Sequence, residues 1–361
     1  MIKYLGSKRL LVPRILAAIA ALPRVRTVVD LFSGTARVGH ALKARGLRVL
    51  ANDHCAYAEV LARCYVQADR DVLAAASAAL DDLARVPAHA GWFAGTYSER
   101  SRYLQPHNAA RIEAIRAAIA ARAFEPELEA VLLTSLMEAA DRVDSTTGVQ
   151  MAYLKRWSAR SHNALELRLP AVLPRAEAGK GAAFGLDALD AAQALDGDVA
   201  YVDPPYNQHK YLGNYHLWET LVRWDRPEVY GVAQKRIDCR TRRSPFNSRV
   251  QAAAALRAVL AAVRAPHVVL SFSDEGWLGP GDIAEMLAPR GAVLVLACDH
   301  PRYVGARIGI HNPRGEKVGT VSHVRNREFL FVATPDRDAA ARLRALGHVP
   351  AAELARSRPA G

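Results

Sequence analysis

Val199-Ala200-Tyr201-Val202-Asp203-Pro204-Pro205-Tyr206 reads as a short apolar strand running into a stiff turn. Neither proline can donate to a sheet ladder, so the strand stops at Asp203. A residue before proline is also pushed toward extended backbone, which fixes the carboxylate at the strand end. A carboxylate and an aromatic held together there suit one task, gripping a flat, neutral base. The ring stacks on it, and nearby acceptors bind an exocyclic amine. Taken alone, the octapeptide also fits a proline-rich surface loop after a core strand.

The surrounding sequence supplies a frame for that strand. Residues 27–31 (Thr-Val-Val-Asp-Leu) read as a buried strand ending near Asp30. Phe32-Ser33-Gly34-Thr35 then makes a tight turn into an amphipathic helix with Val38, Ala41 and Leu42 on one face. Residues 48–51 form the next strand, which closes on Asn52-Asp53, and a helix is expected over 55–67. This is a β-α-β unit, with parallel strands and a right-handed crossover. Ligands of open α/β sheets bind at the carboxyl ends of the strands. Gly34 allows close approach of the backbone to a ligand. Asp53 is placed to accept both ribose hydroxyls of a nucleoside. Neither the G-x-G-x-x-G dinucleotide pattern nor a G-x-x-x-x-G-K-[ST] triphosphate loop is present.

From about 70 to 175 the rhythm changes. Ala-rich helical stretches are expected at 71–84, 109–121 and 126–140, with no strand of parallel-sheet type between them. The α/β alternation returns at 183–187 and 198–202, with further strands at 267–272, 292–298 and 327–332. Helices are expected at 9–22, 216–223, 250–263 and 282–288. The last two strands have no helix between them and suggest an antiparallel pair. The domain expectation is a catalytic α/β domain over 1–69 and 176–335, a helical insert over 70–175, and a helix and basic tail over 336–361.

Composition limits the partners. The 361-residue chain carries a formal net charge of +12, and 40 of its 48 basic residues are Arg. That balance favours a polyanion, most simply nucleic acid. An Ala- and Arg-rich coding bias would account for about half of the excess. Four cysteines without C-x-x-C or zinc-like spacing read as reduced thiols in a cytoplasmic protein, and no metal is implied. The apolar run 15–22 is interrupted upstream by Pro13 and Arg14 and reads as a packed helix, and no stretch is long enough to span a membrane.

Together these features place a nucleoside cofactor and an amine-gripping loop at one sheet end. The cofactor that fits is S-adenosylmethionine, and the acceptor is then an exocyclic amine. Asp203 and the carbonyl of Pro204 can accept its two N–H bonds, and Tyr206 can stack on the base. A base inside a duplex reaches such a pocket only by flipping out.

At this point the chain resembles the Dam-type, D12 class DNA N6-adenine methyltransferases, over roughly 1–335. Tyr4-Leu5-Gly6-Ser7-Lys8 is similar to the N-terminal cofactor motif, and Asp30-Leu31-Phe32-Ser33-Gly34-Thr35 to the first motif. Asn52-Asp53 resembles the ribose-binding acid, and Leu186-Asp187 the contact to the cofactor's adenine. Asp203-Pro204-Pro205-Tyr206 resembles the catalytic signature. Further matches are 141–148, 152–155, Ser271-Phe272-Ser273-Asp274-Glu275-Gly276 and Arg302-Tyr303-Val304-Gly305. Ala36 departs from the pattern, standing where the family usually has glycine.

The resemblance implies a Rossmann-like, seven-stranded methyltransferase sheet, mostly parallel with one antiparallel strand, plus an inserted helical target-recognition domain. It implies methyl transfer to adenine N6 in double-stranded DNA, and allows a cognate restriction endonuclease as a further partner. Arg240, Arg242 and Arg243 lie in a charge-dense stretch with Lys235 and Arg236, and are candidates to follow the DNA backbone. His209, Lys210 and Tyr211 could cover the base or form an exposed turn. Trp92, Phe93 and Tyr97 fit a local core better than base contacts, and Asp144, Ser145 and Thr146 could position DNA. The rival readings are methylation of RNA or of cytosine N4, and a non-catalytic nucleic-acid-binding protein on the same scaffold.

Overall fold

Short apolar and β-branched runs form the main strands. They are β1 (Thr27–Asp30), β2 (Arg48–Asn52), β3 (Ala182–Phe184), β4 (Val199–Val202), β5 (His267–Ser273), β6 (Ala292–Pro301) and β7 (Arg325–Thr334). Their order in the sheet is β3-β2-β1-β4-β5-β7-β6 in the computed structural model, which describes residues 1–301, 310–311, 317–319 and 325–349. β1 pairs in parallel with β4, β4 with β5, and β2 with β3. β7 runs antiparallel to both β5 and β6, which is the expected single reversal. Every residue of β4 and β5 is buried, as for parallel strands covered on both faces.

The longer helices fall where the sequence places them, with one more at Ala188–Ala194 that the sequence did not suggest. The helices are α1 (Val12–Ala20), α2 (Arg37–Lys43), α3 (Ala56–Ala62), α4 (Leu73–Arg85), α5 (Pro106–Arg122), α6 (Pro126–Val143), α7 (Ala188–Ala194), α8 (His216–Arg223), α9 (Ala252–Ala262), α10 (Pro280–Leu287) and α11 (Arg337–Ala345). A 3-10 turn over Lys8–Leu10 precedes α1, and a π-turn over Arg63–Gln67 prolongs α3. Pro13 sits in the first turn of α1, where its missing N–H costs no helix bond. Ile15, Ala18 and Ile19 form the buried face of α1.

Two compact units divide the chain. One comprises 1–4, 33–188 and 209–244, and the other 5–32, 189–208 and the residues from 245 onward. Residues 70–175 fall inside the first unit, together with β2, β3 and α8. Its core gathers Tyr57, Tyr65, Phe93, Leu136 and Trp218, all essentially inaccessible. The core of the second lies on β1, β4, β5 and β7, around Val28, Val202, Leu270 and Phe331. All four cysteines are buried and form no disulfide among the described residues. Among the described residues no helix is long and apolar enough to cross a membrane. Arg302-Tyr303-Val304-Gly305 and most of the expected tail lie outside the described residues.

Candidate active site

Each unit carries one cluster of the residues singled out above. In the first unit, the cluster is built around the end of β2. The carboxylate of Asp53 accepts the Gly34 N–H at 2.9 Å on Oδ2 and the Cys55 N–H at 3.0 Å on Oδ1. Two N–H donors leave lone pairs on both oxygens for a diol. The Asn52 side chain pairs with the backbone of Leu186, its Oδ1 accepting from the amide N–H at 3.0 Å and its Nδ2 donating to the carbonyl at 3.2 Å. Leu186 and Asp187 are thereby fixed beside Asp53, and both stay exposed.

The turn itself is strained in a defined way. Gly34 has φ +53°, and a Cβ there would stand 3.3 Å from the Tyr4 ring. Ala36 has φ +58° and is fully buried. The departure at this position therefore acts through the backbone, since a left-handed L-residue costs roughly 1–2 kcal/mol. Ser33 and Thr35 are buried, and Ser33 Oγ has no hydrogen-bond partner among the described residues. Such an orphaned hydroxyl, one residue from a glycine whose Cβ would press on the Tyr4 ring, fits a site that a ligand completes. Tyr4 packs on this turn, stacked between Tyr215 (centroids 4.6 Å apart, 14° between planes) and Tyr211 (5.3 Å, 16°). Burial, and then the charge of Asp53, push the Tyr4 hydroxyl well above the usual phenol range.

In the second unit, the cluster is built around the end of β4. Lys8 is buried, with Nζ 3.1 Å from Asp203 Oδ1 and 3.1 Å from Glu328 Oε2. Gly6, at φ +73°, makes the turn that leads into it. Ser271 Oγ donates to the same Asp203 Oδ1 at 2.8 Å and lies 3.1 Å from the Tyr201 hydroxyl. The contacts of Asp203 with Lys8 and Ser271 both fall on Oδ1 rather than Oδ2. Burial raises the carboxyl of Asp203, and the Lys8 charge opposes that rise. Asp30 is fully buried at the end of β1, and Phe32 meets Phe246 edge-on at 5.2 Å.

One segment supports the whole Asp203–Tyr206 turn. Ser271, at the end of β5, holds Asp203. Phe272 packs against the Tyr206 ring at 5.6 Å, and the Trp277 N–H donates to the Tyr206 carbonyl at 3.2 Å. An apolar pocket opens beside them, lined by Pro204, Pro205, Tyr206, Phe246, Phe272 and Trp277. Gly276 makes room for the Phe272 ring, because a Cβ there would overlap it. Gly276→Ala is expected to displace that ring at a cost of about 1–3 kcal/mol. Thermal stability should fall accordingly, and an unchanged melting temperature would show that the Phe272 ring is not held in place against Tyr206.

The three candidate phosphate-binding arginines separate. Arg240 and Arg243 are exposed, with Arg240 lying 4.0 Å over the Tyr230 ring. Arg242 is half-buried and tied inward, to Glu219 at 3.1 Å and to the His54 carbonyl at 2.8 Å. Arg236 is buried and bridges Asp225 and Asp238. His209 and Lys210 are exposed. Phe93 and Tyr97 are core residues. Asp144, Ser145 and Thr146 are buried, with Asp144 bonded to Lys3, Thr146 and Arg160.

Sequence reasoning did not single out Glu328, Tyr201 or Ser271 as individual site residues. Ser271 stood only within a motif match, and Glu328 follows Arg325-Asn326-Arg327 at the polar start of an otherwise apolar strand.

The profile of the D12 class N6 adenine-specific DNA methyltransferases matches residues 4–268, and the chain belongs to that family. It is 29% identical over 302 residues to the modification methylase StsI of Streptococcus sanguinis, covering 79% of this chain and 46% of that protein. It is 27% identical over 309 residues to the type II methyltransferase M.NlaIII of Neisseria lactamica, covering 83% of this chain and 90% of that protein. It is 29% identical over 280 residues to the type II methyltransferase M.FokI of Planomicrobium okeanokoites, covering 73% and 43%. The chain thus spans about half the length of the first and third of these relatives and most of the second.

Proposed function

We propose that the protein is a site-specific DNA methyltransferase that uses S-adenosylmethionine to methylate the N6 amine of a flipped-out adenine. The observation that carries this reading is the state of Asp203. Lys8 and Ser271 both engage Oδ1, which leaves Oδ2 as the oxygen to face an amine, with Tyr206 and an apolar pocket following in the same turn. An acceptor presented this way binds an amine N–H, and the neighbouring ring binds the base face.

S-adenosylmethionine, when bound, supplies a methyl group activated by its sulfonium. Asp53 would hold the ribose hydroxyls, Leu186 and Asp187 the adenine, and Tyr4 with the 33–35 turn the remainder. Asp203 and the Pro204 carbonyl accept the two N6–H bonds, which draws the nitrogen toward tetrahedral geometry and aims its lone pair. The gain is in positioning and in fixed electrostatics. Tyr206 stacks on the extruded base, a contact worth roughly 1–3 kcal/mol. Family membership favours DNA adenine over RNA or cytosine N4. The names of the relatives support a modification role, which allows a cognate restriction endonuclease as a further partner. Four buried cysteines held outside disulfides among the described residues support a cytoplasmic location.

Sequencing that detects modified bases, on DNA from cells expressing the protein, tests this directly. The expected result is N6-methyladenine at one short motif. Methylcytosine, methylation confined to RNA, or no modification would each contradict it.

Duplex binding should also weaken steeply with salt, since each phosphate contact adds about −0.9 to the log–log slope. Neutralising Arg240 and Arg243 should flatten the slope by roughly 1–2 units. The loss should be equal on cognate and non-cognate DNA, because phosphates carry no sequence code. An unaltered slope would place this stretch away from the DNA. Arg242 is left out of this test because its loss would strip a partner from the buried Glu219.

A further inference from the structure

We propose that Glu328 is a positioning residue for the chemistry at Asp203: it holds Lys8 to Oδ1, so that Oδ2 is presented to the amine. The inference rests on the methyl-transfer reading above.

The sheet register places Glu328 where it can do this. Glu328 lies opposite Ser273 across the β7–β5 pair. Residues directly opposite share a face, and so do residues two apart along a strand. Glu328 is therefore on the same face as Ser271, which donates to Asp203. Lys8 reaches this face from the turn before α1 and is shared between the two carboxylates at equal distances of 3.1 Å. The Lys8 and Glu328 side chains are each 6% exposed, against 17% for Asp203. Asp203 is the one member of the trio that opens toward solvent.

A second buried carboxylate changes what Lys8 does. Facing Asp203 alone, the ammonium would cancel its charge and could bridge both oxygens. Drawn also toward Glu328, it is confined to one oxygen, and the trio carries a net charge of −1. That charge strengthens Oδ2 as an acceptor and favours the positive charge that develops on the amine nitrogen during attack. Burying Glu328 is costly unless it is paired, and Lys8 is the pairing cation.

The charged and titratable groups facing Asp203 are Lys8, Glu328, Tyr201 and Tyr206, with Asp30 and Glu275 acting through the two tyrosines. Burial raises the Asp203 carboxyl, Lys8 lowers it, and Glu328 raises it. Turnover requires ionised Asp203, so its acid limb follows that carboxyl. Removing the Glu328 charge should move the limb to lower pH. Removing the Lys8 charge leaves two carboxylates together and should move it to higher pH.

The test compares kcat–pH profiles on duplex DNA for the wild type, Glu328→Gln, Glu328→Asp and Lys8→Met. It is paired with carbon-13 NMR titration of the Asp203 carboxyl in the DNA-free protein. Glu328→Gln should lose roughly tenfold in kcat, less than the ~10²–10³ typical of a group acting on the reacting atoms. Its acid limb should shift down, and S-adenosylmethionine affinity should stay within about twofold. Glu328→Asp keeps the charge and should recover most of the wild-type profile. A Glu328→Gln variant with unchanged kcat and limb, or Lys8→Met with an unmoved limb, overturns the proposal. If Glu328→Gln is insoluble, the shorter carboxylate and Lys8→Met decide by the same criteria. Should the wild type methylate no DNA, the functional reading fails. The NMR titration then decides the coupling: opposite shifts in Glu328→Gln and Lys8→Met support it, and no shift overturns it.

Discussion

Asp203→Ala is expected to abolish methylation, with turnover falling by at least ~10²–10³-fold, while S-adenosylmethionine still binds. The substitution removes the acceptor that faces the amine. It leaves Lys8 its other partner, Glu328, so no buried cation is stranded. The residues assigned to the nucleoside, Asp53, Leu186 and the 33–35 turn, make their hydrogen bonds without Asp203. Asp203→Asn separates shape from charge. Its amide can present either an acceptor or donors, and a base that needs two acceptors should still lose most of its rate. Single-turnover kinetics with duplex DNA and calorimetry with the cofactor give the two readouts. Near-normal turnover in Asp203→Ala would remove this residue from the chemistry.

Asp53→Ala should show the converse pattern. The carboxylate accepts two backbone N–H groups and keeps lone pairs for two hydroxyls. Charge-assisted hydrogen bonds contribute roughly 1.5–3 kcal/mol each, so affinity for S-adenosylmethionine should fall at least tenfold. Part of that loss would come from the turn, because the Gly34 N–H also loses its acceptor. Asp53→Asn keeps an acceptor for one N–H and should recover some of the affinity. At saturating cofactor the rate of the chemical step should stay close to wild type. Unchanged affinity by calorimetry would place Asp53 outside the cofactor site.

The strands were legible because each is a short apolar run that ends on a recognisable stop. Asp30 before Phe32-Ser33-Gly34, Asn52-Asp53, and Asp203 before two prolines mark the carboxyl ends of β1, β2 and β4. These are local signals, and local signals also singled out Gly34 and Asp53 as candidates. The antiparallel closure was legible from the missing helix between the last two strands. What sequence could not supply is contact between distant residues. Lys8 and Glu328 are 320 positions apart, and nothing near either announces the other. The same holds for the arginines. Lys235 to Arg243 reads as one basic stretch, yet Arg236 and Arg242 are committed to Asp225, Asp238 and Glu219. Only tertiary pairing separates those two from the exposed Arg240 and Arg243. Ala36 shows a third limit. Its substitution for glycine was visible, but its left-handed backbone appears only in the folded turn.

Methyl transfer to adenine N6 is tested most directly by a measurement that assumes nothing about the recognition sequence. Purified protein is incubated with methyl-labelled S-adenosylmethionine and mixed-sequence duplex DNA, which is then digested to nucleosides and resolved by mass spectrometry. Label in N6-methyldeoxyadenosine, absent with Asp203→Ala, is the predicted result. Label in N4-methyldeoxycytidine, or no transfer to DNA by a protein that binds the cofactor, would contradict it.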